Sequence, residues 1–150
     1  MMKRLARHPC SELKTAQADA FGVILPDPLL DWEHAGSGDL VIVFRASTLG
    51  DPAGPVELGR QLMSSFLTAV VAFSPPPAAI ILYSTAVRLT LSDSEHLEDL
   101  KKLAASGTEI FLCRTSLDLL DLAGRTLIGR ACDWHELADR MRRAARVLWP

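Results

Sequence analysis

Three short apolar runs, each about one helix apart along the chain, limit this sequence to few folds. They are Leu40-Val-Ile-Val-Phe44, Ala79-Ile-Ile-Leu-Tyr83 and Ile110-Phe-Leu-Cys113. They are continuous and rich in β-branched residues rather than alternating, as expected of strands covered on both faces. Between them lie stretches of helical periodicity. Such alternation predicts an α/β domain: a small doubly wound, mainly parallel sheet of about five strands, with helices on both faces and flavodoxin-like layering.

The intervening segments fill in that outline. A helix is expected from about Val56 to Phe73, with Leu58, Leu62, Phe66 and Ala69 or Val70 as its buried stripe, and Ser74-Pro-Pro-Pro77 stops it. Ser84 to Leu91 reads as a loop. Ser92 or Ser94 is placed to cap a helix that runs through Leu97, Leu100 and Leu103 to Gly107, a C′ glycine. A short helix over about Leu117 to Ala123, a weak strand at Thr126–Ile128 and a last helix capped by Asp133 and reaching about Ala145 come next. Val147-Leu-Trp149 is the expected fifth strand.

Residues 1–38 differ from the rest. Their apolar pattern is weak, Pro26 and Pro28 interrupt it, and Gly36-Ser-Gly38 reads as a linker. They form the expected N-terminal arm, and 39–150 the α/β domain. The arm is basic at its start but has no apolar core, so no secretory signal is expected. A net charge of −2 gives no footprint for nucleic acid, and no apolar run is long enough for a bilayer. Cys10, Cys113 and Cys132 are odd in number and widely spaced, which predicts a reducing, cytoplasmic setting rather than a disulfide framework. No Cys/His cluster has metal-ligand spacing, so neither metal nor cofactor is expected.

Ligands of open parallel sheets collect outside the carboxyl ends of the strands. Three loops are expected there, Arg45 to Gly54, Ser84 to Leu91 and Cys113 to Asp118. Together they form a crevice holding Arg45, Ser47, Thr48, Glu57, Ser84, Thr85, Cys113, Thr115 and Ser116. Cys113 is the candidate catalytic residue, because a thiol at a strand end beside a helix start is favoured as thiolate. The competing reading is packing, since buried cysteines are commonly small hydrophobes. Cys132 precedes Asp133, which opposes a thiolate, and ranks below Cys113. His96 and His135 are expected to be solvated, and the basic run Arg140 to Arg143 complements a helix C-terminus. Neither a dinucleotide fingerprint nor a P-loop nor a nucleophile elbow is present. A flavodoxin-like small-molecule binder is the third reading, weakened by loops that lack aromatic stacking surfaces.

Several stretches in order carry a resemblance: Glu57-Leu-Gly-Arg60 with Leu62-Met63 and Ser65-Phe66-Leu67, then Ala79 to Tyr83, Val87-Arg-Leu-Thr90, Ser94 to Leu100, and the Cys113-to-Asp118 turn. From about Asp39 to Pro150 the chain resembles the DsrE/DsrF-like sulfur-relay family. The likeness is to the carboxyl-terminal domain of YedF-type proteins linked to selenium metabolism. The resemblance implies a homo-oligomer and a cysteine that carries sulfane sulfur, or selenium, as a persulfide. Its partners would be sulfur donor and acceptor proteins or small persulfides. Arg45 or Arg114 would then stabilise the anion, and Thr115 and Ser116 would orient it.

Two departures matter. The family turn typically reads C-G-T-C, whereas here it is Cys113-Arg114-Thr115-Ser116, so a two-thiol cycle within the turn is excluded and a single-thiol carrier remains. The arm has Pro9-Cys10-Ser11 in place of the Cys-Pro-x-Pro motif of a sulfur-carrier domain. The alternative is a non-catalytic interaction module of the same fold. Exposure of Cys113 separates the two: a solvent-reachable thiol favours transfer, a sealed apolar one favours the module.

Overall fold

The computed structural model describes residues 39–150, so the expected arm and its boundary lie outside the described residues. Five strands form one parallel sheet, in the order β4-β3-β2-β1-β5. They are β1 (Leu40–Phe44), β2 (Ala79–Leu82), β3 (Glu109–Cys113), β4 (Arg130–Cys132) and β5 (Arg146–Leu148). The helices are α1 (Val56–Val71), α2 (Leu97–Ala105), α3 (Arg114–Leu119) and α4 (Trp134–Arg143), with a 3-10 segment at Ser84–Thr90. The chain steps from β1 to β4 in one direction, then returns through α4 to place β5 against the free edge of β1. Every strand pair is parallel, as the apolar runs predict.

Alternation within the strands divides the core into two layers. Ile42, Phe44, Ile80, Leu82, Ile110 and Leu112 face one side, where they meet Met63, Leu67 and Val70 of α1, Leu100 and Leu103 of α2, and Leu117 of α3. Val41, Val43, Ala79, Ile81, Phe111, Cys113 and Cys132 face the other side, with Leu137 and Met141 of α4 against them. Among the described residues, α4 is the only helix on this second face. Its side chains also cover Phe111: the Arg140 guanidinium lies 3.8 Å from the ring centroid.

The structure corrects several details. The buried stripe of α1 is Gly59, Met63, Leu67 and Val70, one position on from the expected Leu58 and Leu62, which are 54% and 41% exposed. Gly59 explains the rotation. A Cβ there would lie 3.0 Å from both the Thr48 Cβ and the Leu49 carbonyl, so only glycine lets α1 seat against the β1 loop on this side. Ser84 to Leu91 is largely a 3-10 helix rather than a loop. The fourth strand is Arg130–Cys132, not Thr126–Ile128, and α3 starts three residues earlier than expected, at Arg114. Gly107 takes a positive φ after α2, as a C′ glycine should. Asp133 caps α4, accepting from the Glu136 N–H at 3.0 Å.

Candidate functional site

The carboxyl edge of the sheet does not form a single crevice. On the first face, Ser47, Thr48, Arg60, Arg88, Ser94, Glu95 and His96 border a cleft of about 440 Å³. Arg60 spans it, donating to both carboxylate oxygens of Glu95 (2.8 and 2.9 Å) and to Glu57 (2.8 Å). Glu57 is thus paired with Arg60. The Glu95 carboxyl is held below its ordinary range, chiefly by the hydrogen bond from Arg60. Arg45 lies apart, beside Thr48 and Pro150 in a recess of about 100 Å³.

His96 departs from expectation. It is 4% exposed rather than solvated, at the position immediately before α2, where it lines the cleft together with Leu89 and Leu91 of the preceding segment. Its backbone N–H donates to the Ser94 hydroxyl at 3.2 Å. Ser94 therefore supports the entry to α2 without being the residue next to its first turn.

The Cys113 side chain enters the second face, whereas α3 after it packs on the first through Leu117. Ser84 and Ser116 meet there: the Ser84 N–H donates to the Ser116 hydroxyl at 2.8 Å. Arg114 reaches the Ala131 carbonyl at 3.5 Å, and Thr115 is exposed. Cys113 itself is 1% exposed and packs among the apolar side chains of the second face. It borders neither cavity. Tyr83 continues that face towards the edge, with Trp134 and Trp149 edge-on to it at 5.3 and 6.3 Å.

Cys132 is the residue that sequence reasoning undervalued. It is the register partner of Cys113 across β3 and β4, on the same face and fully buried. Its Sγ lies 3.7 Å from the Arg130 carbonyl. Burial pushes its thiol up, with a hydrogen bond to Glu136 adding to the effect. Glu136 in turn is held low by Arg140 first and then by Cys132, with Arg130 also paired to it. No local sequence pattern signals this pairing, because the strand that carries Cys132 lies at Arg130–Cys132, four residues beyond the expected Thr126–Ile128.

Solved structures share this arrangement of strands and helices. The YchN protein of E. coli superposes with a TM-score of 0.55 at 24% identity, covering 77% of this chain and all of YchN. The chain has a YchN-like fold. A protein of unknown function from Methanobacterium thermoautotrophicum, MTH1491, gives a TM-score of 0.52 at 19% identity over 74% of this chain and 97% of its own. No protein-family model matches the sequence, and no curated protein does. The single parallel sheet, with α4 crossing to its second face, is that of this YchN-like fold. Among the described residues, no group of three or more metal-ligating side chains gathers, and no helix is long and apolar enough to cross a membrane.

Proposed function

We propose that this YchN-like chain is an interaction module, acting by docking another protein chain and not by passing sulfur through Cys113. The observation that carries this reading is the closure of the thiol, 1% exposed within an apolar layer. A donor persulfide must bring its outer sulfur into bonding distance of the acceptor Sγ. In this arrangement the approach is filled by side chains.

The surface supplies what a docking role requires. Leu58 and Leu62 stand out from α1 one turn apart, with Val56 at its start and Phe73 just past its C-terminus also exposed. Contiguous exposed apolar groups mark interaction sites. A second copy of the chain is the partner that the DsrE-like resemblance implies. The basic end of α4 is a poorer candidate, because Asp139 pairs with both Arg142 and Arg143, and Glu136 pairs with Arg140. Size-exclusion chromatography with light scattering tests the reading on wild type and a Leu58→Lys, Leu62→Lys double variant. An assembly that dissociates in the variant without loss of melting temperature supports it. A monomeric wild type at tens of micromolar, with no partner captured through this face, overturns it.

Sulfur carriage on Cys113, or the selenium equivalent, is the second reading. One observation favours it: the thiol stands at the carboxyl end of β3, where α3 begins. The reading requires an opening that brings Sγ to the surface. A cytoplasmic setting suits both readings.

A further inference from the structure

We propose that Cys113 and Cys132 are an oxidisable dithiol that closes into an intrachain disulfide between β3 and β4. The proposal stands whichever functional reading holds.

The placement of the two residues argues for it. They are register partners on adjacent parallel strands, both thiols are free, and both side chains enter the same buried layer. Neighbouring strands lie about 4.8 Å apart, inside the roughly 4.4–6.8 Å window of Cα separations that disulfides span. The Cβ atoms must approach to about 3.8 Å. The strand that has to move is β4, which is three residues long and forms the sheet edge. Such edges open locally at low cost.

The electrostatics around Cys132 are mixed. Arg130 and Arg140 favour its thiolate, whereas Glu136 and burial oppose it. Burial holds Cys132 mainly as the thiol, so it reacts in the second step, giving up its proton as its sulfur attacks the oxidised Cys113. The chemistry balances with a peroxide. The Cys113 thiol takes one oxygen from hydrogen peroxide to become a sulfenic acid, releasing one water. The Cys132 sulfur then displaces the sulfenic oxygen, which leaves with the Cys132 proton as a second water. Two thiols and one peroxide give one disulfide and two waters. Hydrogen peroxide is two heavy atoms and follows local openings that would not admit a donor protein. The turn lacks the second thiol of the C-G-T-C pattern, and β4 instead sets one beside Cys113 from 19 residues further along the chain.

The consequence is a covalent tie across the sheet edge and removal of Cys113 as a nucleophile. The test uses the full chain carrying Cys10→Ser, so that the third thiol cannot interfere. The folded protein is treated with stoichiometric hydrogen peroxide, then unfolded and alkylated. The expected result is a mass lower by two hydrogens, both thiols protected from alkylation, and a reducible peptide joining Cys113 to Cys132. In Cys113→Ser and Cys132→Ser the loss and the joined peptide are absent. Cys132→Ala stands in if serine is not tolerated in the buried site, and the peptide map of the Cys10→Ser protein needs neither variant. Full alkylation of both thiols after oxidation, or joining only between molecules, overturns the proposal.

Discussion

The Ser84 backbone N–H and the Ser116 hydroxyl are joined by a 2.8 Å hydrogen bond that ties the exit of β2 to the first turn of α3. Ser84 needs that bond. It adopts a φ of +52°, a region that L-residues other than glycine rarely enter. The Ser116 hydroxyl thus serves the backbone. Ser116→Ala should cost about 0.5–1.5 kcal/mol, the usual net worth of one such bond. Urea denaturation would show a lower midpoint with unchanged slope. Ser116→Cys should fall between the two, since sulfur is the weaker acceptor.

The two sides of α1 should respond differently to truncation. Met63 and Leu67 are fully buried, whereas Leu58 is half exposed. Leu67→Ala should lose about 2–5 kcal/mol through lost burial and a residual cavity. Leu58→Ala should stay within about 0.5 kcal/mol, as surface changes do. Equal losses in denaturation midpoints would mean that the helix is rotated from the orientation described.

Gly59→Ala sets helix propensity against packing. Alanine gains roughly 0.8–1 kcal/mol in a helix interior. Its Cβ, however, meets the Leu49 carbonyl and Thr48 Cβ at 3.0 Å, and overpacking of this kind costs about 1–3 kcal/mol. The backbone oxygen cannot rotate away, so the clash should win and the melting temperature should fall. A rise would show that the β1 loop yields.

Acid should weaken the fold through paired carboxylates. Asp133 is held low chiefly by the Glu136 backbone N–H, Asp139 by Arg142, and Glu95 by Arg60. A carboxyl whose native value lies below its unfolded value stabilises fully above the unfolded value, and that stability is lost as pH falls through the native one. Urea midpoints should therefore decline below the ordinary carboxylate range, modestly, because these groups are exposed. Asp133→Ala should remove part of the decline together with the cap, and a profile identical to wild type would count against the capping role.

How much of this was legible depended on what each residue had to bury. The bounds of β1 and β3 follow from sequence, because a strand covered on both faces must be apolar throughout. The edge strand β4, Arg130-Ala-Cys132, has no such run and was placed early, at Thr126–Ile128. The phase of α1 was misread because leucines stand on both of its sides, and the deciding residue, Gly59, has no side chain to signal burial. His96 looked solvated among Ser94, Glu95 and Glu98, yet it lies at the helix entrance, where its neighbours' periodicity does not apply. The meeting of Cys113 with Cys132 depends on register between strands, which no local pattern encodes. The division of the expected crevice likewise reflects which face each loop residue takes after its strand ends.

The closure of Cys113 is the central claim, and intact mass after exposure to a sulfane-sulfur donor tests it most directly. Folded wild type and Cys113→Ser would be incubated with a persulfide-bearing donor protein under non-denaturing conditions, with the unfolded chain as the competent control. The account predicts that the unfolded chain gains reducible sulfur at Cys113 and the folded chain does not. A reducible gain of one sulfur on folded wild type, absent from folded Cys113→Ser, would contradict it and establish Cys113 as a carrier.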